Sequence, residues 1–176
     1  MKILFSVGAL AAFSASVVAS PITVEMYAAT STGPGVHAGA IVISGNEKDG
    51  GTHFLLNLTG VEPLSVHGFH VHANGDCGPK EKNNKMVPAL AAGGHWDPEN
   101  TGKHKGVDGN GHLGDLPRVA ADSKGQVILK VIAPRIKDMA ALKGHALMVH
   151  AGGDNYSDIP KKLGGGGARM FCGVIN

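Results

Sequence analysis

The sequence predicts an all-β protein, an antiparallel sandwich or barrel built from about eight short strands. Short apolar or alternating segments recur along the chain, and clusters of turn-forming residues separate most of them. The chain contains 27 glycines and 9 prolines, and only 5% of its residues are aromatic. Many glycines with little helical periodicity favour short strands and tightly turned loops.

Eight segments have the length and apolar pattern of strands. In order they are Ile22–Ala28, Ala38–Ser44, Thr52–Leu58, Ser65–Ala73, Arg118–Ala121, Gln126–Ala133, His145–Ala151 and Met170–Ile175. Turn clusters at 45–50 and 122–125 punctuate them, and Ile136–Leu142 could form a single short helix. Residues 74–116 and 152–169 break the rhythm, because they are long and rich in Gly, Pro and Asp. Long loops of this kind in a compact domain are usually functional.

The first twenty residues have the order of a secretory signal peptide. Lys2 is their only charge, an apolar stretch follows it, and Val17 to Ser20 offers small residues for cleavage after Ala19 or Ser20. A membrane anchor is the alternative, but the stretch is short, rich in Ala and Ser, and followed by no positive cluster. We therefore predict an exported chain whose single domain covers residues 21–176 and is not held in the membrane.

The charge balance argues against a nucleic-acid partner. Without Lys2, 15 of the 16 basic side chains remain against 14 acidic ones, so no basic stripe is available to neutralise phosphates. The two cysteines, Cys77 and Cys172, form no CxxC motif. In an oxidising compartment such a pair is most simply a disulfide, with two buried free thiols as the alternative.

Ten histidines carry the strongest signal in the sequence. His70 and His72 are two residues apart on a predicted strand, so their side chains share a face and can bind one ion, whereas His67 should face the other way. Together with His150, on another strand, they form an imidazole-only set, and such a set suits copper.

A second set of donors lies within one loop. Three imidazoles and one carboxylate suit tetrahedral zinc, and four protein ligands close such a site. The donors are His95, His104, His112 and Asp115.

These segments resemble the sequence signatures of copper–zinc superoxide dismutases, in particular those of the bacterial exported branch. The match covers the chain from about residue 22 to its C-terminus, and its motifs are 67–72, 93–98, 111–117, 147–158 and 164–174. The resemblance implies a flattened eight-stranded Greek-key β-barrel and a periplasmic enzyme. It also implies one copper and one zinc ion per subunit, with superoxide as the substrate.

The resemblance also assigns the site residues. Copper would be bound by His70, His72, His95 and His150, and zinc by His95, His104, His112 and Asp115. His95 would bridge the two ions and supply protons, Arg169 would hold the anion beside copper, and Asp154 would accept hydrogen bonds from His70 and His104. The glycines before Arg169 would let the backbone pack close to the site, and His67 would be a structural hydrogen-bonding residue. The remaining histidines, His37, His53 and His145, are expected at the surface or in strands.

Other functions fit less of the sequence. A copper or zinc carrier would favour Met clusters or CxxC, and a cupin-like oxygenase needs only one mononuclear site. A structural zinc domain leaves His70, His72 and His150 unexplained. The loop lysines at 80, 82, 85, 161 and 162 either steer the anion or are ordinary solvated residues. Members of the bacterial branch differ in oligomeric state, so both a monomer and a homodimer are compatible with the resemblance.

Overall fold

The computed structural model describes residues 20–45 and 50–176. The predicted signal peptide lies almost entirely outside these residues, as do residues 46–49 of the first turn cluster. Within the described part of the chain, regular structure consists of β-strands and three short 3-10 turns, at Leu90–Ala92, Met139–Leu142 and Leu163–Gly165. None of the helices in this part is long and apolar enough to cross a membrane. The all-β prediction is confirmed.

Eleven strands are present, and they are numbered here in chain order. They are β1 (Ile22–Thr30), β2 (Gly33–Gly45), β3 (Thr52–Leu58), β4 (Val66–His67), β5 (Phe69–His72), β6 (Lys80–Lys82), β7 (Lys85–Val87), β8 (Val119–Ala120), β9 (Val127–Ala133), β10 (Ala146–His150) and β11 (Arg169–Val174). Seven of them form one antiparallel sheet in the order β5-β10-β11-β1-β2-β3-β9.

A small strand pair joins the two edges of this sheet. β4 runs into edge strand β5, β8 precedes edge strand β9, and β4 pairs with β8 through Val66↔Ala120 and His67↔Val119. The sheet therefore curls on itself. If β4 and β5 count as one strand and the separate β6–β7 hairpin is set aside, eight strands remain, as predicted.

Buried and exposed side chains alternate along the strands, and the buried ones form the core enclosed by the curved sheet. On β3 the side chains of Phe54, Leu56 and Leu58 are fully buried, whereas those of Leu55 and Asn57 are exposed. Side chains two residues apart share one face of a strand, so β3 contributes every second residue from Phe54 onwards to the core. The interior also contains Met26, Ile41, Ile43, Phe69, Val71, Leu147 and Val149.

Three elements differ from the sequence prediction. The predicted strand Ser65–Ala73 breaks at Gly68, whose N–H bonds the carbonyl of Gly152, a residue outside the sheet. The predicted helix Ile136–Leu142 shortens to a 3-10 turn at Met139–Leu142, which begins where Asp138 accepts the N–H of Ala140. Loop 74–116 contains the β6–β7 hairpin, which the sequence analysis did not predict.

Candidate metal centre

Strands β5 and β10 bring together three of the predicted copper ligands. The two strands are antiparallel neighbours with Met148 opposite His70, and His150 ends β10. The Nε2 atoms of His72 and His150 lie 3.2 Å apart. All three imidazoles are buried. Pairing of these two strands thus converts a local His-x-His motif and a distant histidine into one cluster.

Loop 74–116 lies along β5 and adds the predicted bridging residue. Single β-bridges pair His72 with His95 and His70 with Asp115. The ring of His95 stacks on that of His70, with centroids 3.9 Å apart and an angle of 26° between the planes. Backbone pairing therefore fixes the loop at two of its four candidate ligands, His95 and Asp115.

The carboxylate of Asp115 is the centre of the second donor set. Its Oδ1 lies 2.8 Å from His95 Nδ1 and 3.3 Å from His112 Nδ1, and its Oδ2 lies 3.0 Å from His104 Nδ1. The N–H of Lys105 also donates to Oδ2, at 3.1 Å. The three predicted zinc histidines therefore lie around one buried carboxylate, which is the fourth predicted donor.

Within the described part of the chain, two groups of donor atoms lie mutually within 4.8 Å: His70, His72, His95 and His150, and His70, His95, His104 and Asp115. His95 belongs to both. The first group coincides with the predicted copper set. The second contains His70 in place of His112. The ring centroid of His104 lies 5.5 Å from that of His70 and 6.1 Å from that of His112.

Two histidines of the first group are each oriented by a backbone carbonyl on their outer side. His72 Nδ1–H donates to the carbonyl of Gly93 at 2.9 Å, and His150 Nδ1–H donates to that of Gly167 at 3.3 Å. Carbonyl and carboxylate partners of this kind fix the tautomer of a metal-binding histidine and direct its other nitrogen towards the ion. These carbonyls could not be predicted from the sequence, because a backbone acceptor has no residue signature.

Asp154 connects the two clusters. Its Oδ2 accepts Nε2–H of His70 and its Oδ1 accepts Nε2–H of His104, both at 2.8 Å. A Cβ atom built on Gly164 would lie 2.0 Å from Asp154 Oδ1 and 2.9 Å from His104 Nε2. The glycine run before Arg169 thus lets the backbone lie directly against this carboxylate, as the sequence analysis predicted.

Burial and mutual repulsion keep most of these imidazoles neutral. Burial, followed by repulsion from His95, lowers the pKa of His70 to about 3 and that of His150 to about 4, and the pKa of His72 is also far below its ordinary value. Burial likewise lowers the pKa of His95. Metal ions bind the neutral form of imidazole, so the cluster is ready to bind ions at neutral pH.

His104 and its two carboxylate neighbours behave differently. Burial alone would lower the pKa of His104, but the nearby carboxylates of Asp115 and Asp154 raise it to about 9. The neighbouring imidazoles outweigh burial in both carboxylates and hold their pKa values far below the usual range. Two buried anionic carboxylates require nearby positive charge.

The residues fit bound cations. Two buried ring nitrogens, His70 Nδ1 and His104 Nδ1, have no hydrogen-bond partner among the described residues. His104 Nδ1 is 3.0 Å from Asp115 Oδ2, but not in hydrogen-bond geometry, which suits two ligands of one ion. Buried polar atoms almost always have a partner, so these orphaned nitrogens indicate metal ligation.

Arg169 lies beside the first cluster. Its guanidinium donates to the carbonyl of Ala89 at 2.6 Å and to that of Gly93 at 2.5 Å. The Gly93 carbonyl is also the acceptor for His72, so the arginine and a cluster histidine share one oxygen. A disulfide joins Cys77 to Cys172, which confirms the predicted pairing and attaches the loop to the strand that begins at Arg169.

The other histidines lie outside the clusters. His67 Nδ1–H donates to the carbonyl of His150 at 2.8 Å, a structural hydrogen bond of the kind expected for it. His37 lies 2.6 Å from Glu25 on the surface, His53 lies in β3, and His145 donates to the carbonyl of Ala73 at 2.7 Å.

Two residues that the sequence analysis missed also support the centre. Asp158 accepts the N–H of His104 at 2.9 Å through Oδ2 and that of Leu163 at 3.0 Å through Oδ1, so it joins the two long loops. Arg135 donates to the carbonyls of Gly111 and His112. The position of Asp158 two residues before a proline was a weak signal of a capped turn, whereas Arg135 had none.

Comparison with known proteins decides the family. The profile of copper/zinc superoxide dismutases matches residues 37–175, most of the chain. This protein belongs to the copper/zinc superoxide dismutase family. A Cu-Zn superoxide dismutase of Brucella abortus is 53% identical over 175 residues, which cover 99% of each chain, and one of Escherichia coli K12 is 51% identical over 152 residues, which cover 86% of each chain.

Solved superoxide dismutase structures share the fold. The Cu/Zn superoxide dismutase from Brucella abortus aligns with a TM-score of 0.86 at 54% identity, covering 89% of this chain and all of that one. The monomeric copper, zinc superoxide dismutase from Salmonella enterica aligns with a TM-score of 0.79 at 49% identity and the same coverage. The two histidine clusters fit the copper and zinc sites of this family.

Proposed function

We propose that this protein disproportionates superoxide to oxygen and hydrogen peroxide at a centre in which His95 joins a copper site to a zinc site. The position of His95 carries the proposal, because it belongs to both donor groups. Its Nδ1 faces Asp115 at 2.8 Å, which leaves Nε2 for the side where His72 and His150 meet.

The donor chemistry assigns the ions. His70, His72 and His150 supply only imidazole nitrogens, and with His95 they are proposed to bind copper. His95, His104, His112 and Asp115 are proposed to bind zinc, which prefers four nitrogen and oxygen ligands in a closed site. Every proposed ligand comes from one chain, so one chain is a complete functional unit, in agreement with the monomeric Salmonella relative.

The overall reaction takes two superoxide anions and two protons and gives one oxygen molecule and one hydrogen peroxide molecule. Bound copper supplies one-electron oxidation and reduction, and bound zinc supplies a fixed positive charge. His95 takes up a proton at Nε2 in one half of the cycle and donates it to the departing peroxide in the other, while water gives the second proton. A positioned histidine is well suited to this general acid–base step.

Arg169 is proposed to hold the superoxide anion. Two carbonyl acceptors, those of Ala89 and Gly93, fix its guanidinium next to His72. A guanidinium has five N–H donors. The two hydrogen bonds to carbonyls leave other N–H groups free to face an anion. Because the arginine is already oriented, binding the anion costs little side-chain entropy.

The replacement His150→Ala tests the function most simply. Loss of one of three copper-specific imidazoles should nearly abolish superoxide removal by the metal-loaded protein, measured together with copper content. His37→Ala, which removes an exposed imidazole, should keep wild-type activity. Wild-type activity in His150→Ala would rule out the copper assignment.

We also propose that residues 1–20 direct export and that the protein acts in the periplasm as an antioxidant. The disulfide supports an oxidising compartment, and the Brucella and Escherichia relatives match this chain over most of its length. N-terminal sequencing of the protein from a periplasmic extract should begin at Ser20 or Pro21. An uncleaved chain confined to the cytosol would contradict the proposal.

A further inference from the structure

Arg135 reaches from the barrel to the loop that carries His112. Its Nη1 donates to the carbonyl of His112 at 3.1 Å and its Nη2 to that of Gly111 at 2.9 Å. The backbone behind it is fixed to the barrel, because the next residue, Ile136, accepts a buried hydrogen bond from Thr52 Oγ1 at 2.8 Å. The guanidinium is therefore a rigid connection between the end of β9 and the zinc loop.

The loop backbone at this point is tightly enclosed on its other side. A Cβ atom on Gly111 would lie 2.3 Å from the carbonyl oxygen of Lys103 and 2.9 Å from the backbone nitrogen of Lys105. The N–H of His112 donates to the same Lys103 carbonyl at 2.9 Å. Residues 111–112 are thus held between Arg135 and the segment that bears His104.

His112 is the zinc donor that depends most on such support. His104 is fixed through its ring by Asp154 and through its backbone by Asp158. His95 is fixed by a β-bridge to His72. The ring of His112 instead lies at the rim of the cluster, where its Nδ1 is 3.3 Å from Asp115 Oδ1, so its distance from the other donors is set by its backbone.

We propose that Arg135 is a positioning residue for the zinc site. Its two hydrogen bonds, to the carbonyls of Gly111 and His112, keep His112 available as the fourth ligand. The inference rests on the zinc set assigned above. A guanidinium suits this task because its donors form a fixed planar fork, whereas the ammonium of lysine is a flexible point charge. Without Arg135, zinc would keep three protein ligands, and water would take the fourth position.

Zinc affinity and cobalt spectroscopy test this inference in the copper-loaded full-length protein. Arg135→Ala should lower zinc affinity, measured by chelator competition, by about 10- to 100-fold, the usual effect of removing a residue that supports a metal ligand. The visible absorption of cobalt at the zinc site should change in position and intensity, because water replaces an imidazole as the fourth ligand. Arg135→Lys, which can bond one carbonyl, should fall between Arg135→Ala and the wild type, and copper affinity should stay unchanged.

A charge control and a double variant separate the possible outcomes. Lys130→Ala removes an exposed cation from β9, the strand that precedes Arg135, and should leave zinc affinity unchanged. His112→Ala should weaken zinc binding, and Arg135→Ala should add little to it in the double variant, because both changes remove the same ligand.

Three results would overturn the inference or its basis. If His112→Ala leaves zinc affinity unchanged, the assigned zinc set itself is wrong. If His112→Ala weakens zinc binding but Arg135→Ala changes neither zinc affinity nor the cobalt spectrum, only the role of Arg135 is wrong. Equal loss of copper and zinc affinity in both Arg135 variants would show that the residue supports the fold as a whole, which also contradicts the inference.

Discussion

Asp115 illustrates how one side chain organises the centre. Its two oxygens lie within 3.3 Å of nitrogens from His95, His104 and His112, and its backbone pairs with His70 on β5. The carboxylate is buried, so it is a strong ligand for a cation and costly to leave unpaired. Its loss should therefore affect zinc far more than copper.

Asp115→Ala should release zinc and keep copper, with some superoxide-removing activity remaining. Metal content of the purified variant by elemental analysis checks this. Asp108→Ala, which removes an exposed carboxylate from the same loop, should keep both metals. Loss of copper with retention of zinc would show that the two sites are exchanged.

Sequence reasoning could predict which histidines lie together but not the backbone groups that orient them. The spacing of His70 and His72 on a strand predicts a shared face, and the histidine-rich loop predicts a second donor set. The carbonyls of Gly93 and Gly167 that orient His72 and His150 could not be predicted, because backbone acceptors depend on the path of the folded chain. The same holds for Arg135, whose partners are also carbonyls.

At the scale of elements, strand periodicity predicted most of the barrel and missed what lacks a hydrophobic pattern. Strand β3 was predicted to the residue, because alternating burial is visible in its sequence. The hairpin β6–β7 was missed, since its strands are almost wholly exposed. Its turn, Asn83-Asn84, has positive φ at both residues, so the asparagine pair was the available signal.

The disulfide attaches loop 74–116, which contains the unpredicted hairpin, to the barrel. Cys77 belongs to the long loop, and Cys172 lies in β11, three residues after Arg169. The bond closes a segment with a sequence separation of 95 residues. It restricts the unfolded chain and also holds the loop carbonyls that position Arg169.

Replacing both cysteines by alanine should lower the stability of the metal-free protein by about 4–5 kcal/mol in the chain-entropy treatment. For a chain of this size the melting temperature should then fall by on the order of 10 °C, measured by calorimetry. The metal-loaded variant should also lose activity, because the loop that fixes Arg169 is freer to move. An unchanged melting temperature in the metal-free variant would contradict this role.

At the scale of the whole molecule, the cluster of buried neutral histidines makes stability depend on pH. Burial, and then repulsion from His95, lowers the folded-state pKa of His70 to about 3 and of His150 to about 4, against 6.5 in the unfolded chain. Burial lowers the pKa of His72 and His95 as well. Below pH 6.5 the unfolded chain therefore binds more protons at these four residues than the folded one does.

His104 acts in the opposite direction. Despite burial, Asp115 and Asp154 raise its folded-state pKa to about 9. Its stabilising contribution is fully present below pH 6.5 and is lost as the pH rises from 6.5 to about 9. It therefore does not change further as the pH falls from 6.5 to 4, and the four lowered histidines dominate that range.

The free energy of unfolding of the metal-free protein should consequently decrease as the pH is lowered from 6.5 to about 4. Urea unfolding at several pH values in this range measures it, with His37→Ala as the control for an exposed imidazole. A stability that is constant or rises towards pH 4 would contradict the buried, neutral state of the cluster.

The most direct measurement is a crystal structure of the metal-loaded protein with anomalous diffraction collected at the copper and zinc absorption edges. We expect two different ions, with His95 Nδ1 bound to zinc and its Nε2 to copper. A single ion, or a His95 ring that contacts only one of the two, would contradict the account.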